Sequence, residues 1–435
     1  MSGPVIRFRG PLALLTAAER RALLDRSAAG PRDVRAAVSV VLEGVRRRGD
    51  AAVREFTARF DRVAPGLIEI PKAAWRDALA QLDPAVRSAL ERAARNIDLV
   101  HRAGRPMPST VETEPGVRIE RRPYPLQRVG VYVPGGLAAY PSSVLMGVVP
   151  ARAAGVEEVI VCSPPGPNGF PAPAILAAAA LAGADRLFAI GGAQAIGAMA
   201  YGTDTVPPVD RIVGPGNAYV MEAKLQVSDR VGIDAPAGPS EVLIIADGST
   251  DPDLVAAELI AQAEHDPDAV AICSVLGTRG SALGRIEAAM VRRILESPRE
   301  TIIRGALEAR GGLLTVADLD EAVWFANEFG AEHLLLAFDG AEAEVDRFRT
   351  AGAVFVGASS SVAFGDYLTG ANHVLPTSGL ARGYSGLGAP DFFRWTTYQT
   401  VTLAAAGRLA GDTAVLARVE GLPGHAVAAE RWEIQ

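Results

Sequence analysis

The stretch EVLIIADGSTDPDLVAAELIAQAEHDPDAVAICSVLG, residues 241–277, decides the fold that the sequence predicts. The aliphatic run EVLIIAD (241–247) precedes a segment with apolar residues at helical spacing (251–264), and a second aliphatic run, AICSVLG, follows. Continuous apolar runs separated by helices are typical of parallel strands that are buried on both faces. The stretch therefore predicts two neighbouring strands of one parallel sheet, joined by a crossover helix.

The same alternation continues in both directions from this stretch. Downstream it gives a helix over 281–296, the strand GGLLTVAD, a helix over 319–329, the strand HLLLAF, a helix over 341–349 and the strand AGAVFVG. Upstream, VGVYV, EVIVCSP, RLFAI and RIVGPG are each followed by a helical segment, near 142–154, 172–183, 192–200 and 217–226. We therefore predict an α/β fold with two Rossmann-like parallel-sheet domains and helical N- and C-terminal extensions.

The two ends of the chain do not continue this alternation of strands and helices. Helical spacing of apolar residues covers 16–60 and 74–104, and the tail from about 388 is predicted to be mainly helical with a loop near 421–424. The predicted domains are a helical extension over 1–28, a first Rossmann-like domain from 29–131 with 240–387, a second over 132–239, and a C-terminal tail over 388–435.

Composition limits the classes of function. The 435 residues are 49% apolar, and 43 basic against 50 acidic residues give a net charge of -7, which argues against nucleic-acid binding and a polybasic membrane anchor. The first residues lack the pattern of a signal peptide, and the alanine-rich stretch 172–184 is too short to span a bilayer. We expect a cytoplasmic protein with a small-molecule partner. Cys162 and Cys273 have no metal or redox spacing and are expected to be buried apolar residues.

Histidine is scarce, and four of the five copies lie in dense local motifs. AQAEHDP places Gln262 and His265 three residues apart on a predicted helix, so that both side chains can reach one ion, although a helix end with these residues is also commonplace. His101 ends an amphipathic helix, where a surface or capping role fits.

Two further motifs carry histidine in predicted loops. GDYLTGANHVLPT holds Asp366 and His373 after the strand AGAVFVG, where the carboxylate can ligate a metal, orient a histidine or cap a turn. EGLPGHA places Glu420 and His425 on a loop of the tail, which suggests residues offered to another surface, such as a second subunit.

GAEHLLL places Glu332 and His333 at the start of a predicted strand. An imidazole can take a proton near neutral pH and a carboxylate can activate water, so the pair suits a dehydrogenase, although an ordinary strand entry also fits.

Three glycine loops follow short strands: YVPGG (132–136), IGGAQAIG (190–197) and GPGNAY (214–219). Glycine at the carboxyl end of a strand lets a phosphate or ribose approach the backbone. None of the loops fits G-x-G-x-x-G with an acidic residue about 20 positions later.

In this order, the motifs resemble the histidinol dehydrogenase family over residues 30 to 427. The strongest passages are RVGVYVPGG, AYPSSVLM, GGAQAIGA, VGPGNAYV, AGPSEVLIIAD, AQAEHDP, EHL, GDYLTGANHVLPTSG and EGLPGHA. The resemblance implies an NAD-dependent oxidoreductase acting on a CH–OH group, which oxidises an amino alcohol to its aldehyde and then to the acid, with two NAD+ used in turn at one site. These are the last two steps of histidine biosynthesis.

The resemblance also implies roles for individual residues. One zinc ion per subunit would be bound by Gln262, His265, Asp366 and His425, with His425 coming from the partner in a homodimer. The acid/base pair would be Glu332 and His333. Substrate would contact Ser240, Gln262, His265, His333, Asp366, Glu420 and His425, and NAD+ would contact Tyr132, Gln194 and Asn217. His373 would lie near the site.

The implied set agrees with the chemistry of the residues. Nitrogen and oxygen ligands suit zinc, although they would also accept manganese or cobalt. Because no cysteine occurs in the motifs, an aldehyde hydrate is favoured over a covalent thiohemiacetal. The metal site would belong to the first Rossmann-like domain, NAD+ binding to the second, and dimerisation to the tail.

One segment departs from the family's wording, and it leaves other functions open. DFFRWTTYQTVTLAAAGRL (391–409) differs from the family pattern near the expected dimer contact, which bears on substrate identity. A related enzyme that oxidises another small alcohol, such as a sulfonated propanediol, would need a cation, which Arg382 or Arg394 can supply. A metal-dependent hydrolase and a catalytically silent binding protein are the alternatives from other classes.

Overall fold

The N-terminal quarter of the chain is mainly helical. A computed structural model describes residues 5–26, 32–63, 66–135, 139–277 and 281–433. The first elements are β1 (Phe8–Pro11), α1 (Ala17–Leu24), α2 (Arg32–Arg48), α3 (Asp50–Phe60), α4 (Lys72–Gln81), α5 (Pro84–Ala103), β2 (Ser109–Glu114) and β3 (Val117–Pro125). The five helices are the segments predicted from helical spacing, except that positions 27–31 lie outside the described residues.

The second part of the chain alternates strictly between strand and helix. Its elements are β4 (Arg128–Tyr132), α6 (Pro141–Ala154), β5 (Glu158–Ser163), α7 (Pro173–Ala182), β6 (Arg186–Ala189), α8 (Gly192–Tyr201), β7 (Arg211–Val213), α9 (Ala218–Val227) and β8 (Gly232–Ile233). The strands form a five-stranded parallel sheet in the order β6-β5-β4-β7-β8. The order of this five-stranded sheet reverses between β4 and β7, which is where open α/β sheets bind ligands at the carboxyl ends of their strands.

A second alternating series follows. Its elements are β9 (Glu241–Ala246), α10 (Pro252–Ala263), β10 (Val270–Leu276), α11 (Ser281–Glu296), α12 (Glu300–Arg310), β11 (Gly312–Val316), α13 (Leu319–Phe329), β12 (His333–Leu336), α14 (Ala341–Glu344), β13 (Ala353–Val356) and α15 (Val362–Tyr367). Together with β1 the strands form a six-stranded parallel sheet in the order β1-β11-β10-β9-β12-β13. The two parallel sheets confirm the predicted α/β fold, and α12 is a helix that the sequence analysis missed.

The tail contains a strand that we had predicted to be helical. Its elements are β14 (Phe393–Val401), α16 (Leu403–Val419) and α17 (Pro423–Glu430). β14 pairs antiparallel with β3 along its whole length, in a three-stranded sheet of order β14-β3-β2. The prediction was wrong for this segment because FRWTTYQTV is rich in aromatic and β-branched residues, which favour strands, and its pairing with a distant strand is invisible to local periodicity.

The packing of the N-terminal region differs in two places from the predicted division into domains. β1 pairs with β11, so the extension is not purely helical. Val45 of α2 and Phe56 of α3 pack in one core with Ile160 and Ile196 of the five-stranded sheet's layer, whereas the prediction joined this region to the other sheet. The division itself stays a prediction, and its boundary at 28/29 lies outside the described residues.

No helix within the described ranges combines the length and apolar character that crossing a bilayer requires. The alanine-rich stretch forms α7, a ten-residue helix with its central residues buried against the five-stranded sheet.

A buried ion pair ties the N-terminal segment to the six-stranded sheet. The Arg26 Nε lies 2.8 Å from the Glu241 Oε1, and both side chains are at most 3% exposed. The same guanidinium donates a 2.6 Å hydrogen bond to the Phe329 carbonyl and lies 3.4 Å from the centroid of that ring. Because every polar group of the pair is engaged, the pair can persist in a water-free environment.

Replacing Arg26 is expected to be strongly destabilising. Arg26→Ala leaves the Glu241 carboxylate buried without its partner, which should lower the free energy of unfolding by about 3–5 kcal/mol. The matched control is Arg87→Ala, which removes an exposed pair with Glu91 and should cost about 0.5 kcal/mol. Urea denaturation of the two variants measures the difference, and equal losses would contradict the role of the buried pair.

Candidate active site

The pairing of β9 with β12 brings Glu332 and His333 next to Ser240 and Glu241. The parallel register places His333 opposite Val242, so the amino ends of both strands lie side by side. The Oε2 of Glu332 accepts hydrogen bonds from the Ser240 hydroxyl and the Glu241 backbone N–H, each at 2.7 Å. The predicted strand-entry position of the pair is therefore confirmed, and the carboxylate is fixed by the neighbouring strand.

The ring of His333 is held in a defined orientation. Its Nδ1 donates to the Glu241 carbonyl oxygen at 3.0 Å, because a carbonyl can only accept, and this hydrogen bond assigns the tautomer. Its Nε2 is buried without a hydrogen-bond partner of acceptable geometry and lies 3.5 Å from the Asp366 Oδ1. The nitrogen that faces Asp366 is therefore the one left free for chemistry.

Burial and charge shift the ionisation of this group. Burial raises the pKa of Glu332 to about 7. Burial alone would lower the pKa of His333, but the carboxylates of Glu332 and Asp366 outweigh it and raise the pKa to about 9. For Asp366 burial acts to raise the pKa, and the His333 ring, whose Nε2 lies 3.5 Å away, lowers it overall. Perturbed pKa values of this kind are typical of functional sites.

Asp366 lies in helix α15 rather than in the predicted loop. The backbone carbonyl of Asp366 accepts a 2.9 Å hydrogen bond from the Nδ1 of His373. The Nε2 of His373 lies 3.4 Å from the hydroxyl of Ser143, near the start of α6. Burial lowers the pKa of His373, which favours the neutral form of the ring between α15 and α6.

Gln262 and His265 meet at the end of α10, although the helix is shorter than predicted. Gln262 lies in its last turn, and His265 lies beyond the last residue, Ala263. The Nδ1 of His265 donates to the Gln262 carbonyl oxygen at 3.2 Å, which leaves its Nε2 free. The Gln262 side chain is buried, and its Nε2 has no hydrogen-bond partner within the described ranges. The positive charge of His265 is among the smaller influences that lower the pKa of Asp366, and the grouping of these residues in one site stays a prediction.

Glu420 and His425 lie away from this site in the single chain. Glu420 caps the C-terminus of α16 and His425 lies in helix α17, not in the predicted loop. Both are exposed, and neither side chain forms a hydrogen bond or ion pair within the described residues. Over the same residues, no group of three or more His, Cys, Asp and Glu side chains is close enough to hold a metal ion.

The predicted nucleotide contacts lie at the carboxyl edge of the five-stranded sheet. Tyr132 ends β4, and its hydroxyl accepts a 3.1 Å hydrogen bond from the Gly192 N–H. Gln194 is 1% exposed, and neither atom of its amide has a partner among the described residues. Asn217 follows β7 and caps α9 by accepting from the N–H groups of Tyr219 and Val220. Gly136, at the end of the first glycine loop, lies outside the described residues.

The loop after β7 is held by two residues that the sequence analysis missed. Lys224 and Asp234 form a buried ion pair of 2.6 Å. Asp234 accepts a 2.7 Å hydrogen bond from the Gly214 N–H, and Lys224 donates to the Gly214 carbonyl. Gly214 has a φ of +113°, and a Cβ there would lie 2.1 Å from the Tyr132 carbonyl oxygen, so only glycine fits. The lysine and aspartate follow GPGNAY in sequence, but nothing in their spacing predicts that they pair.

Burial determines the outcome for the two cysteines and for His101. Cys162 and Cys273 are fully buried, as predicted, and burial raises the pKa of both thiols, that of Cys273 to about 12. A thiolate nucleophile is therefore disfavoured at both positions. The surface role predicted for His101 is wrong: the side chain is buried in the face of α5 that packs inward, and its Nε2 has no partner.

Comparison with known proteins gives a consistent picture. The family model described as Histidinol dehydrogenase matches residues 24–432. The chain is 45% identical over 420 residues to a histidinol dehydrogenase of Methanosarcina barkeri, with 95% of each chain covered. It is 46% identical to that of Nitrosomonas europaea, with 95% of this chain and 96% of the relative covered. The crystal structure of histidinol dehydrogenase from Elizabethkingia anophelis is similar, with a TM-score of 0.92, 34% identity and 99% of both chains covered.

The raised pKa of Glu332 predicts a pH-dependent stability. Between the ordinary value of 4.5 and about 7, the folded protein keeps a proton that the unfolded chain has released. The free energy of unfolding should therefore fall as pH rises through this window, and Glu332→Gln should remove that part of the fall. Urea denaturation of both proteins at pH 5 and pH 7.5, in metal-free buffer, measures it. Glu91→Gln, an exposed control, should track the wild type; a pH-independent difference for Glu332→Gln would refute the shift.

Proposed function

The chain belongs to the histidinol dehydrogenase family of oxidoreductases, which acts in histidine biosynthesis, and on this basis we propose that it oxidises L-histidinol through L-histidinal to L-histidine with two NAD+. One observation carries the proposal: the buried pair of Glu332 and His333 is fixed by β9, with the His333 Nε2 free beside Asp366. Such a pair suits an oxidation that needs a proton acceptor and an activated water.

The residues of one chain supply part of a zinc site. The free Nε2 of His265, the buried amide of Gln262 and the Asp366 carboxylate are a nitrogen and oxygen set of the kind that zinc accepts. Zinc would bind the Oε1 of Gln262, whereas its unpaired Nε2 is a hydrogen-bond donor that suits an acceptor atom of a ligand held beside the ion. The fourth ligand would be the partner subunit's His425. When bound, the ion supplies a Lewis acid that holds the amine and imidazole of the substrate.

A homodimer accounts for the surface of the tail. In α16 and α17, Val415, Leu416, Val419 and Val427 are each more than 60% exposed. Contiguous exposed apolar side chains are typical of a surface that another chain covers. Burying this face in a dimer would carry the exposed Glu420 and His425 to the site of the second subunit, where Glu420 would contact substrate.

The unsatisfied groups of the five-stranded sheet support NAD+ binding. Within the described residues, the buried amide of Gln194 has two unpaired polar atoms, and it lies two residues after Gly192, whose N–H donates to the Tyr132 hydroxyl. A sheet edge with backbone that a ligand can approach and with an unpaired amide can form hydrogen bonds to a ribose or phosphate. NAD+ supplies a hydride acceptor for each of the two oxidations when it is bound.

In the proposed chemistry, His333 and Glu332 each act through one side-chain atom. With the Asp366 carboxylate bound to zinc, one of the two charges that raise the pKa of His333 would be offset, and the neutral ring would take the hydroxyl proton of the substrate at Nε2, because its Nδ1 is held by the Glu241 carbonyl. Both hydrogen bonds to Glu332 end on Oε2, which leaves Oε1 to take a proton from the water that hydrates the aldehyde. Ser240 then has two roles, orienting Glu332 and contacting substrate.

No contact favours the sulfonated alcohol as substrate. In the part of the chain that the structure describes, the Arg382 guanidinium donates to the Glu328 carbonyl and pairs with its carboxylate at 3.4 Å. Arg394 donates to Thr396 at 2.8 Å. Neither guanidinium contacts a residue of the acid/base pair.

Turnover of L-histidinol tests the substrate and the base together. The zinc-loaded protein should form two NADH for each histidine, measured by absorbance and by amino-acid analysis. His333→Gln should lower kcat by roughly 10²- to 10⁴-fold, since it removes the proton acceptor. His101→Gln, a buried histidine outside the site, should retain the wild-type rate. A wild type with no turnover would refute the substrate, and an unimpaired His333→Gln would refute the base.

Mixing of subunits tests the shared site. His425→Ala and Gln262→Ala should each be inactive alone and should lack bound zinc by atomic absorption. Co-refolded at equal amounts, half of the dimers combine the two variants, and each of these has one intact site, so about a quarter of the wild-type activity should return. Inactive mixtures that contain the expected mixed dimer would place His425 outside the partner's site.

A further inference from the structure

A buried ion pair binds the backbone of the glycine loop that follows β7. Lys224 lies in α9 and Asp234 follows β8 directly, and both side chains are at most 6% exposed. The Lys224 Nζ lies 2.6 Å from the Asp234 Oδ1 and donates to the Gly214 carbonyl. The Asp234 Oδ2 accepts from the Gly214 N–H at 2.7 Å. The two peptide groups that flank the Gly214 Cα are therefore each held by one member of the pair.

Gly214 connects this pair to the predicted nucleotide contacts. A Cβ on Gly214 would lie 2.1 Å from the Tyr132 carbonyl oxygen, so the loop runs directly against the end of β4. The Tyr132 hydroxyl accepts from the Gly192 N–H at the start of α8. At the other end of the loop, Asn217 caps α9, and Lys224 lies about two turns further along this helix. The chain itself thus fixes both ends of the loop.

A contribution to stability alone does not account for charges at these positions. Burial of two charges costs much of what their attraction returns, and apolar residues of similar volume often stabilise a core equally well. Val220, Ala223 and Val227 of α9 pack in the apolar core of the five-stranded sheet, so the helix offers apolar neighbours to position 224. Apolar side chains could not bind the two peptide groups of Gly214. What the ion pair adds is a fixed direction of the loop backbone.

We propose that Lys224 and Asp234 are positioning residues for the dinucleotide, which fix Gly214 so that the loop holds the conformation that binds the cofactor. The proposal rests on the proposed use of NAD+. Among the described residues, the side-chain hydrogen bonds of the pair go only to each other and to Gly214, so the pair acts on the ligand through the loop. A loop that is fixed before binding loses less conformational entropy when the ligand binds, which raises the affinity. The expected effect is therefore on cofactor affinity and not on the acid/base pair.

Two double variants separate the orientation of the loop from the removal of charge. Lys224→Met/Asp234→Leu replaces both side chains with apolar ones of similar size and leaves Gly214 without its two partners. Lys224→Gln/Asp234→Asn also removes both charges, but its amides can still donate to the Gly214 carbonyl and accept from the Gly214 N–H. The matched control, Arg128→Met/Glu158→Met, removes a partly buried ion pair at the amino edge of the same sheet.

NADH is titrated into each full-length protein and followed by its fluorescence, so that no turnover is needed. The apolar double variant should bind NADH at least about tenfold more weakly than the wild type, and the amide double variant should bind it within about threefold of the wild type. The control should bind as the wild type does. Thermal unfolding shows whether each variant is folded at the temperature of the titration. Equal binding by the folded apolar variant and the wild type, or equally weak binding by both double variants, would overturn the positioning role.

Hydrogen exchange on the unaltered protein tests the same role even if the apolar variant does not fold. Because the Gly214 N–H donates to Asp234, its exchange should be slow without the cofactor and should change by less than about threefold when NADH saturates the protein. Mass spectrometry of overlapping peptides that cover 211–219 measures the exchange. Fast exchange that becomes slow only with NADH would mean that the ligand orders the loop, and the proposal would fail. A wild type that does not bind NADH in the titration would instead overturn the proposed function.

Discussion

The parallel pairing of β9 with β12 is the constraint on which the site depends. It sets Glu241 beside Glu332 and His333, and each polar group of Glu241 then holds a different neighbour. The backbone N–H of Glu241 donates to Glu332, its carbonyl accepts from the His333 ring, and its carboxylate pairs with Arg26 and accepts from the Ser378 N–H. A one-residue slip of this register would turn His333 to the other face of the sheet and separate the carboxylate from its donors.

The two sheets present opposite edges to the site. The strand order around β9 in the six-stranded sheet is the same as that around β4 in the five-stranded sheet. The proposed acid/base pair lies at the amino edge of the six-stranded sheet, whereas the predicted nucleotide contacts lie at the carboxyl edge of the five-stranded sheet. The segment after α15 joins them, since Asn372 donates a 2.8 Å hydrogen bond to the Met146 carbonyl in α6 and His373 reaches Ser143. With the proposed binding sites, the five-stranded sheet follows the usual rule that places ligands at carboxyl ends, and the six-stranded sheet does not.

Local patterns predicted the elements that bury apolar residues, and long-range contacts decided the rest. The alternation around 241–277 was sufficient for the strands and crossover helices because parallel strands are apolar on both faces. The strand β14 was missed because its partner, β3, is more than 250 residues away, and the ion pair of Arg26 with Glu241 spans 215 residues. Motif spacing led us to predict Glu332, His333 and Asp366 as site residues. It did not predict where the helices begin and end, since His265 lies beyond the end of α10 and His425 lies within α17.

Several buried polar groups of the single chain lack hydrogen-bond partners, and one physical reason can account for them. The Nε2 atoms of Gln262 and His333 and the amide of Gln194 are all buried without partners in the part of the chain that the structure describes, although a folded protein pairs nearly all such groups. Elsewhere in the same chain, buried polar groups such as Lys224 and Asp234 are fully paired, so the fold is able to satisfy them. These three unpaired groups occur where a metal, a cofactor and a second subunit are proposed to bind, whereas others, such as the Nε2 of His101 and the Oγ of Ser274, lie outside the proposed site. Their desolvation has already occurred on folding, so a ligand that supplies the missing partners gains hydrogen bonds without that cost, which favours binding in a fixed orientation.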